Sequence, residues 1–340
     1  MAVMRLLVAV LLALQMMVSP CLGSSCPSVE GIVRSAVEAA LQQDIAIAAG
    51  LLRIFFHDCF PQGCDASLLL TGSGSEQQLA PNLTLQPRAL QLIEEIRGKV
   101  HAACGPTVSC ADITALATRD AVYASGGPSY AVPLGRLDSL APAPSSAVFQ
   151  LPQATSDAST LIGAFKSRNL SETDLVALSG GGHTIGRAHC TSFSNRFNTD
   201  TSWDNNSSSS SSSSSSFVRK LAANCSSSSP NRLQELDVTT PDVFDNKYFL
   251  NLQNGQGVLT SDQVLAGDWR TGWIVNGYAG NHWWFYDQFR QSMIKLGNLK
   301  NTQQQQGEIR RSCYKPNNAP LQSTQTKLLE LIHPAAGYQQ

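Results

Sequence analysis

The sequence predicts a mainly α-helical protein with minimal β-structure, and three observations lead to this fold class. A chain of 340 residues with 42% hydrophobic and 14% charged residues can bury a sizeable core. Several segments place apolar residues at the spacing of an amphipathic helix, whereas the strict alternation typical of strands is rare. No internal repeat divides these segments, so we expect one folded domain.

The elements are predicted in chain order from apolar spacing and from helix start signals. Apolar residues at helical spacing define the first two and the last two helices. The third and fourth begin with capping-box patterns, Ser109 to Asp112 and Ser171 to Asp174. The predicted helices are residues 44–59, 90–103, 109–124, 171–178, 244–252 and 283–296, and the predicted short strands are residues 257–260 and 308–311.

Both ends of the chain and one internal segment fall outside this pattern. Residues 1–23 are interpreted as a secretory signal, with Arg5 before an apolar run that is too short to span a bilayer. The folded domain is expected at residues 24–316. Within it, the serine-rich residues 205–216 cannot bury apolar area and are predicted to form a flexible surface loop. Residues 317–340 are predicted to be a disordered or processed tail.

The cysteine count indicates an exported, disulfide-bonded protein. Nine cysteines are present, and removal of the signal takes away Cys21. An even number in an exported chain indicates four disulfides, and spacing alone favours only the short loop from Cys59 to Cys64. A zinc site is disfavoured because no paired C-x-x-C spacing occurs. The mature cysteines are Cys26, Cys59, Cys64, Cys104, Cys110, Cys190, Cys225 and Cys313.

Charge and hydropathy exclude two classes of partner. Loss of Arg5 with the signal leaves 23 of the 24 basic residues against 25 acidic ones, a formal net charge of −2. This balance does not favour nucleic acid. No segment after the signal approaches the ~20 apolar residues that a membrane span needs. We therefore expect no nucleic-acid partner and no membrane association.

Arg53 and His57 lie four residues apart in the apolar run Leu52 to Phe60. In a helix both side chains project from one face, so a ligand there would meet a proton acceptor and a fixed positive charge together. A core helix with a satisfied histidine is the ordinary alternative. The charge of Arg53 argues against it, because burying a guanidinium without a purpose or a partner is costly.

A second histidine, His183, follows three consecutive glycines. The glycines predict the end of one helix and a close approach of the backbone to something bulky, with His183 opening the next helix. A histidine in this position can ligate a metal ion.

These segments together resemble the secretory plant (class III) haem peroxidases. The resemblance runs in order from about Ser25 to Cys313 and rests on six motifs in compatible spacing. The motifs are Leu52-Arg-Ile-Phe-Phe-His-Asp-Cys-Phe, Gly63-Cys-Asp-Ala-Ser, Val108-Ser-Cys-Ala-Asp, Val132-Pro-Leu-Gly-Arg, Val176-Ala-Leu-Ser-Gly with His183-Thr-Ile-Gly, and Thr240-Pro-Asp-Val-Phe-Asp-Asn. The resemblance implies the all-helical haem peroxidase fold, with the haem between distal and proximal helical halves.

The resemblance implies roles for five residues around one haem b. His183 would be the iron ligand, with Asp262 accepting a hydrogen bond from its other ring nitrogen and making the imidazole more basic. His57 would act as general base and then general acid toward hydrogen peroxide. Arg53 would stabilise the charge that develops as the O–O bond breaks. Asn82 would orient His57, and its sequon would then be too buried for a glycan.

The resemblance also implies a substrate-binding residue, Pro152, beside bound phenols, with Phe56 walling the peroxide pocket. Two calcium ions are implied, because the oxygen-rich clusters beside the two histidines suit a hard cation. The first calcium ion would be held by Asp58, Pro61, Gly63, Asp65 and Ser67. The second would be held by Thr184, Asp237, Thr240, Val243 and Asp245. Taken singly, each of these acids is better explained as a helix cap or a solvated loop residue. Their clustering beside the two histidines favours the calcium interpretation.

Two structural features complete what the resemblance implies. The disulfides would be Cys26–Cys104, Cys59–Cys64, Cys110–Cys313 and Cys190–Cys225. Asp112 and Arg136 would form a buried ion pair.

One departure from the family pattern lies beside the iron ligand, where the family usually has one residue fewer between the Ala-Leu-Ser-Gly motif and His183. The third glycine is expected to bulge outward at the helix junction.

The function implied is peroxidase activity, in which hydrogen peroxide is reduced and small phenolic donors lose one electron each. We expect a monomer that is secreted to the cell wall and acts in phenol and lignin chemistry and in oxidative stress, with vacuolar sorting through the tail as the alternative. A secreted wall-binding protein that retained the fold without activity is the competing hypothesis. A zinc hydrolase is disfavoured because no His-Glu-x-x-His pattern occurs.

Overall fold

The computed structural model describes residues 26–198, 212–225, 232–299 and 306–318, so the predicted signal and the tail after residue 318 lie outside the described residues. The described part is mainly helical, with one two-stranded sheet, which confirms the predicted fold class. The helices are α1 (Val29–Leu41), α2 (Ile47–Gln62), α3 (Pro87–Cys104), α4 (Cys110–Ala124), α5 (Ser145–Val148), α6 (Ala158–Lys166), α7 (Glu172–His183), α8 (Asn195–Asn198), α9 (Ser212–Asn224), α10 (Lys247–Gln253), α11 (Thr260–Gly267), α12 (Gly272–Gly280) and α13 (His282–Gly297). The strands are β1 (Arg187–His189) and β2 (Leu233–Glu235).

The helices pack as two groups that share one large apolar core. Helices α1, α2 and α3 pack on α4 and on one another. Helix α13 packs on α7, and α10, α11 and α12 pack together beside them. Helix α2 contacts α7 and α13, and buried side chains from both groups belong to one contiguous cluster. The two histidines of interest therefore lie on helices, α2 and α7, that meet between the groups.

Helix α2 is buried along most of its length. Its apolar residues leave only a narrow stripe in contact with solvent, and Arg53, Phe56 and His57 lie on that partly exposed stripe. The helix ends at Gly63, whose φ of 103° is a conformation that favours glycine. Arg53 and His57 therefore project from the same, partly exposed face of an otherwise apolar helix.

Helix α7 begins with the predicted capping box. The Ser171 hydroxyl accepts the Asp174 N–H, and the Asp174 carboxylate accepts the Ser171 N–H. The helix does not stop at Leu178 but continues through all three glycines, and His183 is its last residue. The expectation that the glycines separate two helices was therefore wrong, and no outward bulge occurs at a helix junction.

Two of these glycines are required by packing. A Cβ atom on Gly180 would overlap the Phe249 ring, and one on Gly181 would overlap the Phe289 ring, whereas a Cβ on Gly182 would meet no protein atom within 4 Å. The glycines let α7 approach the aromatic core of the neighbouring helices closely. This contact, rather than a change of helix direction, explains Gly180 and Gly181.

Gly182→Ala is expected to raise the free energy of unfolding by about 0.5–1 kcal/mol, because alanine loses less backbone entropy in a helix and the site has room. Gly181→Ala is the matched control and should destabilise by about 1–3 kcal/mol through overlap with Phe289. Thermal unfolding of both variants measures the difference. Equal effects of the two replacements would contradict this packing.

The sheet differs from the predicted strands. Strands β1 and β2 pair antiparallel, with Arg187 opposite Glu235 and His189 opposite Leu233. Both are three residues long, too short to produce a recognisable alternation. Residues 257–260 instead lead into α11, and of residues 308–311 only Glu308 forms a bridge, with Asp138. Both strand predictions were wrong.

The serine run also differs from its prediction where the structure describes it. Helix α9 begins at Ser212, so residues 212–216 are helical and not loop, while residues 205–211 lie outside the described residues. Serine is a mediocre helix former, but Phe217 and Leu221 bury their side chains in a small apolar cluster with Phe193. This tertiary packing stabilises the helix.

Among the described residues, four disulfides occur with the pairing that the resemblance implied: Cys26–Cys104, Cys59–Cys64, Cys110–Cys313 and Cys190–Cys225. The implied ion pair is present too, since an Arg136 nitrogen lies 2.9 Å from an Asp112 oxygen. Among the described helices, none has the length and apolar content needed to cross a bilayer.

The segment from Arg310 to Cys313 is bonded to the first group of helices. Arg310 has no solvent exposure and donates to the Ala66 carbonyl at 2.6 Å. Its backbone N–H donates to the Asp138 carboxylate, which also accepts the Cys110 N–H at the start of α4. Cys313 then bonds to Cys110 across 203 residues of sequence.

Candidate active site

Arg53 and His57 lie side by side on α2, as their spacing predicts. The Arg53 Nε–H donates to His57 Nε2 at 3.4 Å. The other guanidinium nitrogens donate to the Thr84 carbonyl at 2.9 Å and the Pro81 carbonyl at 3.1 Å. The guanidinium is thus held by the loop beyond α2, with its charge directed at the imidazole.

Asn82 fixes the protonation pattern of the His57 ring. His57 Nδ1 lies 2.7 Å from Asn82 Oδ1, which can only accept, so Nδ1 carries the proton and Nε2 is left as an acceptor. The Asn82 amide is oriented in turn by donation from Nδ2 to the Glu76 carbonyl at 2.9 Å. Asn82 is 2% exposed, and both its polar atoms are bonded within the protein, which leaves no access for a glycan.

The surroundings keep His57 neutral. Removal from water lowers the pKa of His57, the nearby Arg53 charge lowers it further, and the hydrogen bond to Asn82 partly opposes these effects, giving a pKa of about 3. At neutral pH the imidazole is therefore a free base. A neutral Nε2 beside a fixed positive charge can take a proton from a small polar molecule and stabilise the anion that results.

His183 is the last residue of α7, and a buried carboxylate is hydrogen-bonded to its ring. Its Nδ1 lies 2.7 Å from Asp262 Oδ1, and the same oxygen accepts the Tyr248 hydroxyl at 2.9 Å. Asp262 lies in the first turn of α11 and is 1% exposed. Burial lowers the pKa of His183, but the charge and hydrogen bond of Asp262 raise it by more, so the pKa lies above the ordinary value. The carboxylate makes this imidazole a strong electron donor.

The outer nitrogen of His183 suits a metal ligand. Within the described residues no hydrogen bond engages Nε2, and the side chain is 31% exposed. The Arg53 charge acts on His183 as well as on His57, so both helices face a common region. A basic, oriented imidazole on one side and an acid–base pair on the other fit a haem whose iron is ligated by His183.

A group of buried carboxylates lies directly after His57. Asp58, Asp65 and Glu76 are each at most 3% exposed. Burial raises the pKa of Asp58 well above its ordinary value, and the Asp65 and Glu76 charges raise it further. Burial also raises the pKa of Asp65 and that of Glu76, and the hydrogen bonds that these carboxylates accept only partly oppose this effect. The Ser67 side chain is buried as well. Mutual repulsion of this kind is relieved by a cation.

The remaining residues of the first implied calcium site lie around this group. Pro61 is in the last turn of α2, and Gly63 follows that helix. Within the described part of the chain, no group of three His, Cys, Asp or Glu side chains is placed so that it could hold a metal ion by itself. Carbonyl and hydroxyl oxygens would therefore have to complete the coordination, which calcium accepts more readily than transition metals do.

The second implied calcium site lies directly after His183. The Thr184 hydroxyl is 3.3 Å from an Asp237 oxygen and donates to the Asp245 carbonyl at 2.9 Å. The Thr240 hydroxyl donates to the Asp245 carboxylate at 3.1 Å, and Val243 lies in the turn between them. Burial raises the pKa of Asp245, and the Asp237 charge raises it further. The structure thus gathers these oxygen-bearing residues beneath α7.

Pro152 lies apart from the residues above. It is in the connection between α5 and α6 and is partly exposed, and among the described residues no hydrogen bond joins it to His57 or His183.

Two residues of the site were missed by sequence reasoning. Glu76 supports Asn82 and joins the carboxylate group, and Tyr248 shares Asp262 with His183. Neither stands beside a histidine in the sequence, so only the fold reveals them.

Comparison with known proteins places this geometry in a family. The sequence profile of the family described as peroxidase matches residues 33–281. The chain is 47% identical to Peroxidase 12 of Arabidopsis thaliana over 305 residues, which cover 88% of this chain and 82% of that protein. It is 47% identical to Cationic peroxidase SPC4 of Sorghum bicolor, covering 87% and 80%, and 43% identical to Peroxidase 66 of Zea mays, covering 86% and 88%.

Proposed function

Because the chain belongs to the plant haem peroxidases and is a peroxidase that uses hydrogen peroxide, we propose that His57, Arg53 and Asn82 carry out the peroxide chemistry opposite a haem held by His183. The observation that supports this assignment most is the arrangement of His57 between Asn82 and Arg53. It leaves a neutral acceptor nitrogen beside a fixed positive charge.

The proton transfers follow from this arrangement. His57 Nε2 takes the proton from one oxygen of hydrogen peroxide, while Asn82 keeps Nδ1 protonated and the ring oriented. The Arg53 guanidinium, next to Nε2, stabilises negative charge on the departing oxygen. His57 then returns the proton to that oxygen, which leaves as water. Haem bound at His183 would supply the redox centre from which peroxide receives two electrons and to which donors return them.

On the opposite side the chain holds and tunes the iron ligand. Asp262 accepts the Nδ1 proton of His183 in a 2.7 Å hydrogen bond and is itself fixed by Tyr248 and by the Leu259 N–H. A ligand with this partner donates more electron density than a neutral histidine, which favours the oxidised states of the iron. The Asp262 carboxylate is thus a positioning group for His183.

Small phenols are proposed as the electron donors, with Pro152 beside them as they bind. Each phenol gives up one electron and one proton, so two donors and one peroxide yield two phenoxyl radicals and two waters. We place the protein outside the cell, at the cell wall, as a monomer, in phenol and lignin chemistry and the response to oxidative stress. Four disulfides support an oxidising compartment.

Calcium is proposed at the two clusters described above, one after each histidine. The buried, mutually repelling carboxylates of the first cluster and the threonine and aspartate oxygens of the second support this. Each ion would fix the chain next to a catalytic helix. The calcium ions would therefore hold His57 and His183 at their separation across the haem.

The test of the proposed function is spectroscopy combined with turnover of the purified holoprotein. We expect a Soret band with a high-spin ferric pattern and guaiacol oxidation that depends on hydrogen peroxide. A protein that retains no haem, or that binds haem without oxidising guaiacol, would support the wall-binding alternative and reject the proposal.

The rate of reaction with hydrogen peroxide is expected to be constant from pH 8 down to about pH 4 and to fall at lower pH. His57 must be unprotonated to accept the proton, and its pKa is about 3, so activity is lost as the pH falls through this value. Stopped-flow measurement across the pH range, with circular dichroism to confirm folding, checks this. An inflection near pH 6.5 would mean that the surroundings do not depress the pKa of His57.

A further inference from the structure

The surface of α12, α13 and the preceding turn carries an unusual number of exposed tryptophans. Trp269 is 85% exposed, Trp273 57%, Trp283 70% and Trp284 36%. Large aromatic rings are rarely left in water without a purpose, since burying one contributes substantially to stability. None of these residues takes part in the peroxide or calcium chemistry proposed above.

Two of these tryptophans lead into an unbroken series of aromatic rings that ends at the iron ligand. Successive ring centroids are 6.2, 4.9, 5.2, 5.2 and 6.3 Å apart. These separations are those of aromatic rings in contact. We call the series the aromatic chain: in order it is Trp273, Trp284, Tyr278, Phe249, Tyr248 and His183.

The outer end of the aromatic chain is built into the fold. A Cβ atom on Gly277 would overlap the Trp284 ring, so the absence of a side chain there leaves room for the indole against α12. The Trp284 ring also meets the buried Tyr278 ring edge-on. Trp284 is thus held in a defined position, partly in water and partly against the core, unlike a freely rotating surface residue.

The inner end of the aromatic chain can exchange protons as well as electrons. The Tyr248 hydroxyl donates to Asp262 Oδ1 at 2.9 Å, and this oxygen also holds His183. A tyrosine is oxidised far more easily when its proton has an acceptor. Phe249 is not readily oxidised and serves as the bridge between the two tyrosines, which it contacts on either side.

We propose that Trp273 and Trp284 form a second donor site, at which phenolic polymers too large to approach the haem are oxidised one electron at a time. The electron passes along the aromatic chain to His183. Tunnelling falls steeply with distance, so a series of rings in contact carries an electron where a single long step would fail. This inference rests on the proposed peroxidase function and extends its substrates to polymeric phenols.

The step balances with the reactants of that function. A phenol unit of the polymer loses one electron to the tryptophan face and one proton to solvent, leaving a phenoxyl radical on the polymer. Two such events supply two electrons and two protons, which convert one hydrogen peroxide into two waters. No further oxidant is required.

The first experiment compares two donors on the holoenzyme: guaiacol, and a lignosulfonate dialysed free of small fragments. For Trp284→Leu we expect the kcat/KM for lignosulfonate to fall about tenfold or more while that for guaiacol stays within about twofold. Trp269→Leu is the matched control, because it removes a neighbouring, more exposed indole for which the described residues show no ring contact. It should leave both donors unaffected.

The second experiment detects the electron path directly. The holoenzyme receives one equivalent of hydrogen peroxide and a nitroso spin trap without any donor, and the adduct is located by peptide mass spectrometry. We expect an adduct on Trp284 or Trp273 in the wild type. Tyr278→Phe keeps the ring and its packing but removes the oxidisable hydroxyl, so the adduct should be lost from both tryptophans.

The outcomes separate the possibilities. Loss of lignosulfonate oxidation in Trp269→Leu and Trp284→Leu alike, with no adduct on either ring of the donor site, would show a docking surface without electron transfer and reject the proposal. If Trp284→Leu oxidises lignosulfonate at the wild-type rate, the second donor site is rejected as well. Normal guaiacol turnover in the same variant would leave the proposed function intact. Absence of guaiacol turnover in the wild type would reject the proposed function, and the second donor site with it.

Discussion

Replacing His57 with leucine is expected to slow the reaction with hydrogen peroxide by roughly 100- to 10,000-fold, the range that general acid–base assistance supplies. Loss of correct peroxide positioning adds to this effect. The replacement removes the acceptor nitrogen that Asn82 and Arg53 prepare, and it takes no ligand from the iron because His183 is untouched. Stopped-flow formation of the first oxidised spectrum measures the rate.

Two controls distinguish this chemical role from a general disturbance. His282→Leu makes the same replacement at an exposed position on α13 and should leave the rate unchanged. The Soret absorbance of His57→Leu should equal that of the wild type, since haem retention depends on the opposite side. An undiminished rate in His57→Leu would overturn the assignment of His57.

Prolonged chelation of calcium is expected to lower the melting temperature by about ten degrees or more and to reduce activity, with all disulfides intact. A ligand at 100 times its dissociation constant stabilises a protein by about 2.7 kcal/mol per site, and two sites are proposed. Each kcal/mol corresponds to about 2–4 °C in a domain of this size class. Calorimetry before and after chelation measures the change.

The variant Asp58→Asn tests whether the effect comes from the cluster beside His57. It removes one of three mutually repelling buried carboxylates, so it should lower calcium content by one ion and reduce the effect of the chelator by about half. Magnesium should not replace calcium, because its stricter octahedral geometry suits carbonyl-rich loops poorly. Elemental analysis that finds no calcium in active protein would reject both sites.

Local patterns in the sequence predict where the helices lie better than they predict the contacts between the helices. The spacing of Arg53 and His57 was sufficient to predict neighbours on one helix face, because helix geometry alone determines that relation. The hydrogen bond between His183 and Asp262 joins residues 79 positions apart, and nothing in either segment taken alone indicates it. Only the resemblance to a known family suggested that pair before the fold was seen.

The errors have a common physical origin in tertiary packing. Glycine disfavours helices, yet α7 continues through three glycines, two of which leave the space that Phe249 and Phe289 occupy. Serine is a mediocre helix former, yet α9 begins in the serine run because Phe217 and Leu221 bury their side chains. In both places intrinsic propensity predicted the local structure wrongly because contacts from distant elements outweigh it.

The burial of Arg310 and the Cys110–Cys313 bond make folding of the first group of helices depend on the last residues of the domain to be synthesised. The first group of helices lacks the guanidinium that bonds Ala66, and the N–H that bonds Asp138, until the last part of the domain has emerged from the ribosome. The disulfide that closes this loop contributes about 5 kcal/mol in the chain-entropy view and cannot form any earlier. A chain truncated before residue 310 would therefore expose an unfinished core and a free Cys110 thiol.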